Sequence, residues 1–227
     1  MMINSKVAVI IVNWKKYDIT SSCIESILNS TNSNFKIILV DNESDNKKVK
    51  NFKYRNEIKI IQNKKNEGFS KANNIGIDYA FKNNYDYTVL INNDTIVEKN
   101  LIEVLLKTAQ SKNFSVVQPL IFNHNGKEIW NAGGRINYFF GNFITRKKVG
   151  NSLNSSCELI EWLTGCCCLF KTKIFKEIGK LDESFFAYYE DIDFSLRLKK
   201  HGYKIGFTSK THVYHYESFS SISKNPK

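Results

Sequence analysis

The sequence predicts an α/β fold with a single, mostly parallel central sheet flanked by helices. Short, continuously apolar runs alternate with helix-period segments through the first half of the chain, a pattern typical of βαβ units. Polar turns follow several of the predicted strands, which favours a ligand crevice at the strand carboxyl ends. The length of 227 residues and the apolar share of 42% favour one soluble domain over residues 1–227.

The first elements are predicted from continuous apolar runs and one helical stripe. Val7 to Val12 is apolar throughout, as expected of a strand buried on both faces. The next segment has its apolar residues at helical spacing, with Asp18 as the expected N-cap. Phe35 to Val40 predicts a second strand that ends at Asp41, and Ile58 to Ile61 predicts a short third one.

A second and a third helix follow, separated by a fourth strand. Ser70 is the expected N-cap of the helix that follows the turn starting at Asn66. Tyr87 to Ile91 predicts the fourth strand, which runs into the triplet Asn92-Asn93-Asp94. Apolar residues at helical spacing then predict a helix that begins near Ile102, and Val116 to Phe122 predicts another strand.

The second half of the chain is less regular. Residues 123–156 are rich in Asn, Gly and Ser with interspersed aromatics, and their length favours a substrate-binding or mobile segment over a plain connection. The remaining predicted elements are a strand at Cys166–Phe170, a short helix at Thr172–Ile178, a helix at Asp191–His201 and a strand at Tyr203–Phe207.

Composition excludes some classes of protein and leaves others open. No apolar run approaches the roughly 20 residues of a membrane-spanning helix, and the N-terminus lacks the features of a signal peptide, so we expect a cytoplasmic location. The net charge of +11 (33 − 22) is compatible with nucleic acid, an anionic membrane surface or a phosphorylated substrate. The five cysteines, three of them consecutive, favour reduced apolar fillers over disulfides or a metal site.

Several catalytic motifs are missing from the sequence. It has no G-x-G-x-x-G after the first strand, no phosphate-binding G-x-x-x-x-G-K-[ST], no G-x-S-x-G and no H-E-x-x-H. Carboxylates therefore remain the expected chemical groups.

Two strand ends and one helix start carry those carboxylates. Asp94, after two asparagines, is suited to a divalent cation bound with phosphate, although a turn with Asp94 or Thr95 capping a helix explains the same residues. Asp41 has the same two interpretations. A third group lies at Glu190-Asp191-Ile192-Asp193, where a helix start keeps carboxylates ionised.

Two side-chain relations follow from spacing. We expect Asp193 to pair with Arg197 four residues on, which leaves Asp191 or Glu190 to face a crevice. His212 and His215 should lie on opposite faces of an extended segment, so only one of them can be a ligand.

Taken in order, these segments resemble glycosyltransferase family 2, and particularly its bacterial rhamnosyltransferase-like members. The residues that carry the resemblance span nearly the whole chain: Val9–Trp14, Leu39–Ser44, Asn66–Asn74, Leu90–Asp94, Trp162–Gly165, Phe185–Phe194 and His215. The resemblance implies a GT-A fold and an inverting transfer of a sugar from a nucleotide-diphosphate donor to an acceptor hydroxyl. It also implies that residues 1–122 form the nucleotide-binding half and residues 123–227 the acceptor side.

The resemblance also implies roles for individual residues. Asp191 would be the catalytic base, with Glu190 as the alternative. Asp94 and His215 would bind Mg²⁺ or Mn²⁺, and Trp162 and Gly165 would border the acceptor. The remaining residues would bind the nucleotide sugar: Asn13, Asp41, Asn66, Gly68, Asn73, Asn92 and Asn93.

Two features depart from the family pattern. Asn92 stands where a D-x-D motif has its first acid, and relatives usually continue with further helices after the position of His215. The expected donor is a UDP- or dTDP-sugar, rhamnose among the candidates, and the expected acceptor is a glycan or glycolipid of bacterial surface polysaccharide. A truncated or non-catalytic nucleotide-binding domain, or a basic nucleic-acid-binding protein, are the alternatives, although the lysines are scattered and match no nucleic-acid motif.

Overall fold

A computed structural model describes residues 5–31, 34–43, 46–149 and 157–216. Strands and helices alternate in the first half, as predicted. The strands there are β1 Val7–Asn13, β2 Phe35–Asn42, β3 Lys59–Asn63, β4 Tyr87–Asn92, β5 Thr95–Val97 and β6 Val116–Asn123. The helices are α1 Tyr17–Leu28, α2 Asn46–Lys50, α3 Phe69–Lys82 and α4 Leu101–Ser111.

The second half adds shorter strands and two helices. The strands are β7 Ile129–Asn131, β8 Gly134–Asn137, β9 Asn142–Thr145, β10 Cys157–Ile160, β11 Cys167–Lys171 and β12 Ile205–His215. The helices are α5 Ile174–Glu177 and α6 Glu190–Lys200. Three of these strands, β7 to β9, lie within the segment that was expected to be substrate-binding or mobile, and residues 150–156 of that segment are outside the described residues.

The central sheet has the order β10-β12-β6-β11-β4-β1-β2-β3, with β5 and β7 paired at its margin. Strands β1 to β4 are mutually parallel, and β6 and β12 run in the same direction, because β11 is antiparallel to both β4 and β6. The predicted mostly parallel sheet is therefore confirmed, with β11 as an antiparallel strand in its middle.

Apolar layers cover both faces of the sheet. Along β1, Val7, Val9 and Ile11 pack on the side of α1 and α4, while Ala8 and Ile10 pack on the side of α3. This division explains why the first strand is continuously apolar, since alternate side chains enter different layers and both layers are buried.

Local predictions of helix caps were wrong at two positions. Asp18 lies in the first turn of α1, and the side chain of Asn13 accepts the N–H of Lys16 instead (3.1 Å). Helix α3 begins before Ser70, with Gly68 at its N-cap position. Thr95 begins strand β5, so it does not cap a helix.

None of the helices in the described part of the chain is both long enough and apolar enough to span a bilayer.

Candidate active site

The carboxyl ends of β1 and β2 bring Asn13 and Asp41 together. The two residues are opposite each other in the parallel register, and both are buried. The Asn13 amide donates to Asp41 Oδ1 (3.0 Å), and the Tyr17 hydroxyl donates to the same oxygen (2.8 Å). Asp41 is therefore held in one orientation at the edge of the sheet where the crevice was predicted.

A chain of hydrogen bonds connects this pair to the end of β4. The Thr20 hydroxyl donates to Asn13 Oδ1 (2.8 Å), and the Asn93 amide donates to the Thr20 oxygen (2.9 Å). Three of the predicted nucleotide-sugar residues, Asn13, Asp41 and Asn93, therefore belong to one network that α1 completes.

Asn42 organises the turn that precedes α3, and sequence reasoning did not assign it a role. Its amide donates to Asn66 Oδ1 (2.6 Å) and to the carbonyl of Gly68 (3.3 Å), while its own Oδ1 accepts the Asn63 amide (3.1 Å) and the N–H of Glu67 (2.9 Å). The only sequence signal was its place after Asp41 at a strand end.

Gly68 lies where the turn meets the loop before α6. Its φ of +82° is in the left-handed region, and a Cβ built there would lie 2.7 Å from the carbonyl oxygen of Phe186. That oxygen accepts the N–H of Phe69 (2.6 Å). Only glycine fits this contact without displacement of the loop. One turn into α3, the buried Asn73 amide donates to the carbonyl of Phe69 (3.0 Å).

Asp94 and His215, predicted as metal ligands, lie side by side. His215 Nε2 is 3.2 Å from Asp94 Oδ1, and both side chains are at least nine-tenths buried. The Asn92 amide lies 3.4 Å from the same ring nitrogen. Strand β12 brings His215 here because it pairs with β5, opposite Thr95.

His212, on the same strand, has a different environment. Its Nε2 lies 3.1 Å from Glu98 and its ring packs edge-on against Phe122, so the two histidines do occupy different faces as predicted.

The Asp94 and His215 side chains fit a divalent cation as donors. A carboxylate oxygen suits Mg²⁺ or Mn²⁺, and an imidazole nitrogen is a ligand for transition-metal ions. The described residues contain no cluster of three His, Cys, Asp or Glu side chains arranged for a metal.

A second carboxylate group occupies the start of α6. Asp191 Oδ2 accepts the N–H of Gly165 (2.9 Å), and its Oδ1 accepts the N–H of Ile192 (2.8 Å). Burial raises the pKa of Asp191 despite these two bonds. Asp193 instead pairs with Arg197 at 2.7 Å, which confirms the expected ion pair.

Glu190 is the more perturbed of the two neighbours. Burial, and secondly the adjacent charge of Asp191, raise the pKa of Glu190 to about 7. Its Oε2 is buried without a hydrogen-bond partner among the residues that the structure describes. Glu190 and Asp191 both line a small apolar cavity with Phe69, Leu163 and Gly165.

The chain enters α6 through two left-handed residues. Tyr188 and Tyr189 have φ of 69° and 70°, and both side chains are exposed. Such backbone conformations cost of order 1–3 kcal/mol each in non-glycine residues and are concentrated at functional sites.

A short segment before β11 links the two carboxylate groups. Gly165 donates its N–H to Asp191, while the carbonyl of the next residue, Cys166, accepts the N–H of Asn92 (2.8 Å). Asp191 and the end of β4 are thus hydrogen-bonded to adjacent residues of one short segment.

Trp162 packs against the β8–β9 hairpin. It is buried, and its ring lies against Gly134 of β8, where a Cβ would overlap the indole nitrogen. The same ring is edge-on to Phe143 of β9. Its observed contacts are therefore packing contacts with the β8–β9 hairpin.

Solved structures with similar folds place the chain in a class. The crystal structure of GalNAc-T7 with UDP, GalNAc and Mn²⁺ superposes with a TM-score of 0.77 at 15% identity, covering 95% of this chain and 44% of that one. The crystal structure of S. aureus TarS 1-349 gives a TM-score of 0.67 at 16% identity, covering 93% of this chain and 60% of that one. The fold is that of the GT-A glycosyltransferases, as the sequence predicted.

The family model described as glycosyltransferase like family 2 matches residues 4–225, and the chain belongs to that family. It is 27% identical over 201 residues to the low-salt glycan biosynthesis hexosyltransferase Agl10 of Haloferax volcanii, covering 88% of this chain and 63% of that protein. It is 25% identical over 224 residues to the rhamnosyltransferase WbbL of Escherichia coli K12, covering 92% and 83%. The chain thus spans somewhat less than two thirds of the Haloferax protein.

Proposed function

We propose that the chain is an inverting glycosyltransferase that moves a hexosyl or deoxyhexosyl group, rhamnose among the candidates, from a UDP- or dTDP-sugar to a hydroxyl of a glycan or glycolipid acceptor. The observation that carries the proposal is the link from Asp191 through Gly165 and Cys166 to Asn92, which sets a buried carboxylate pair beside the strand-end network. The similarity to a hexosyltransferase and a rhamnosyltransferase supports this class of reaction.

Residues 1–122 would hold the donor. Asp41, oriented by Asn13 and Tyr17, would offer a carboxylate oxygen to the N3–H of a uracil or thymine base. The turn at Asn66 and Gly68, held by Asn42, would border the nucleotide, with Asn73 behind it and Asn92 and Asn93 next to the diphosphate.

Asp94 and His215 would hold a divalent cation, Mg²⁺ or Mn²⁺. When bound, it supplies positive charge that offsets the charge on the departing diphosphate. GalNAc-T7 has a similar fold, and its crystal structure contains UDP and Mn²⁺, which supports this assignment.

Asp191 would take the proton from the acceptor hydroxyl as the hydroxyl oxygen bonds to the anomeric carbon. The bond from that carbon to the diphosphate oxygen breaks with its electron pair leaving on the diphosphate. The N–H groups of Gly165 and Ile192 fix the carboxylate in place, and its raised pKa brings its basicity closer to that required near neutral pH. Glu190, with a pKa of about 7 and an unpartnered oxygen, is the alternative base.

Residues 123–227 would form the acceptor side, with Gly165 lining it and Trp162 supporting the hairpin beside it. The transfer reaction would take place in the cytoplasm or at the inner face of the membrane, as part of bacterial surface polysaccharide synthesis. Nucleic acid is not an expected partner.

The first experiment measures thermal stability with a panel of nucleotide sugars, with and without Mn²⁺. A ligand that binds only the native state raises its melting temperature. A donor that stabilises the protein is then used in a transfer assay with lipid-linked acceptors. Stabilisation by a donor without transfer would favour a non-catalytic nucleotide-binding domain. Salt-sensitive affinity for nucleic acid without donor binding would favour a nucleic-acid-binding protein.

Asp191→Asn and Asp193→Asn form a matched pair for the transfer assay. The two aspartates are two residues apart on α6, but Asp193 faces Arg197. We expect turnover to fall about 10²- to 10⁴-fold in Asp191→Asn, the typical cost of losing a general base, and to stay near wild type in Asp193→Asn. Equal turnover in wild type and Asp191→Asn would assign the base to another group, Glu190 first.

A further inference from the structure

An aromatic hairpin tip projects from the acceptor-side half. Strands β8 and β9 form a two-stranded sheet separate from the central one, and residues 138–141 join them. Tyr138, Phe139 and Phe140 follow one another at this tip and are 59%, 88% and 72% exposed. A contiguous group of exposed aromatic rings on a protein surface marks an interaction site more often than chance.

The tip is held in a defined shape. Asn137 Oδ1 accepts the N–H groups of both Phe139 and Phe140 (3.1 Å each), and the two phenyl rings meet edge to face with centroids 4.9 Å apart. One residue before Asn137, Ile136 donates its N–H to Glu161 (2.8 Å). The rings are therefore presented to solvent by local hydrogen bonds, so little order has to be gained on binding.

Basic side chains border the aromatic tip. Exposed Arg135 lies on β8, and exposed Lys199 and Lys200 end α6. Lys199 hydrogen-bonds the Tyr138 hydroxyl and lies 4.4 Å from the centroid of its ring, although Glu161 partly offsets its charge. Exposed aromatic rings with one contacting lysine, and with further exposed basic residues on the same hairpin and on α6, complement the interface of an anionic bilayer.

The size of the tip argues against a second copy of the chain as its occupant. Three aromatic side chains of about 150–250 Å² each, exposed to these fractions, offer roughly 450 Å². A stable protein interface needs about 800 Å² on each partner. Insertion of a few rings into lipid has no such minimum, and it gains from each added basic residue near the surface.

We propose that the tip formed by Tyr138, Phe139 and Phe140 inserts into the interface of an anionic membrane and sets the height of the crevice above it. Helix α6 connects the two places, since Lys199 touches the tip and Asp191 lies at the other end. The eight residue steps from Asp191 to Lys199 span about 12 Å of helix at about 1.5 Å per residue. The interfacial layer of a bilayer is about 5–8 Å thick on each side, so an acceptor hydroxyl has to project only a few ångströms beyond it.

The test measures flotation of the purified chain with vesicles of phosphatidylglycerol and phosphatidylethanolamine, and with vesicles of phosphatidylcholine alone. We expect binding to the anionic vesicles that falls at least about tenfold in Phe139→Ser/Phe140→Ser and is retained in Phe139→Leu/Phe140→Leu, which keeps apolar area. Arg135→Glu/Lys200→Glu should also weaken binding. Lys82→Glu/Lys112→Glu, a charge-matched change at the C-terminal ends of α3 and α4, should leave binding unchanged.

Three outcomes would overturn the proposal: no flotation of the wild-type chain, equal flotation of the serine variant, or association of the chain with itself that the serine variant abolishes. Loss of acceptor affinity in both the serine and the leucine variants without any vesicle binding would assign the tip to glycan stacking instead. The role of the tip at a lipid-linked acceptor rests on the proposed function. Membrane binding itself does not, because flotation requires no transfer. Loss of transfer with flotation intact would count against the proposed function alone.

Discussion

Replacing Glu190 with glutamine should remove a large part of the pH dependence of the protein's stability. The pKa of Glu190 is raised from 4.5 to about 7 in the folded chain, chiefly by burial. The unfolded chain therefore loses this proton near its ordinary pKa, while the folded chain keeps it until near neutrality. The stabilisation is complete below the unfolded pKa and is lost as the pH rises through the folded pKa.

The magnitude follows from the size of the shift. Each pKa unit corresponds to about 1.4 kcal/mol, so a shift of this size amounts to about 3 kcal/mol between acidic and mildly alkaline pH. Glutamine has nearly the same shape and no proton to release in this range. Between about pH 5 and about pH 8, wild type should lose about 2.5 kcal/mol more of its free energy of unfolding than Glu190→Gln, because part of the total change already falls below pH 5.

Urea unfolding at several pH values measures this difference. Glu57→Gln is the control, because Glu57 is exposed on the surface and its replacement should leave the pH profile as it is in wild type. A residual slope of the same sign is expected in Glu190→Gln, since the pKa of Asp191 is also raised. Parallel profiles for wild type and Glu190→Gln would refute the assignment of this buried proton to Glu190.

Three other predictions concern single positions. Asp94→Ala should weaken the Mn²⁺-dependent part of donor binding, measured by titration with and without the metal; full activity of the wild-type chain after exhaustive chelation would contradict a metal role. Gly68→Ala should lower the free energy of unfolding by more than about 1 kcal/mol, because alanine at φ +82° would also meet the Phe186 carbonyl. Gly202 also has a positive φ but no neighbour within 4 Å, so Gly202→Ala should lower the free energy of unfolding by less. All five cysteines are unpaired, so thiol titration of the unfolded, unreduced chain should find five free groups; a lower count would contradict this.

Prediction from the sequence succeeded where local pattern and sheet geometry suffice. The continuous apolar run of β1 indicates a strand covered on both sides, and parallel strands end at the same edge, so Asp41 and Asn93 could be expected together. The Asp193–Arg197 pair required only helical spacing.

Features that depend on contacts distant in sequence could not be predicted in this way. His215 reaches Asp94 because β12 continues past an irregularity between Thr208 and His212 to pair with β5, where two separate extended segments were expected. The bond from Gly165 to Asp191 and the burial of Trp162 under β8 likewise depend on how the second half packs. Asn42 has no side-chain pattern that distinguishes it from an ordinary turn residue.

The central position of β11 has a consequence for the order in which the chain can fold during synthesis. Strand β11 fills the gap between β4 and β6, so the nascent chain exposes an open edge on each of them until residues 167–171 have left the ribosome. Unpaired strand edges invite association with other chains. The strands of the first half are therefore complete in sequence well before their edges are paired, and β11 protects them against aggregation once it has been synthesised.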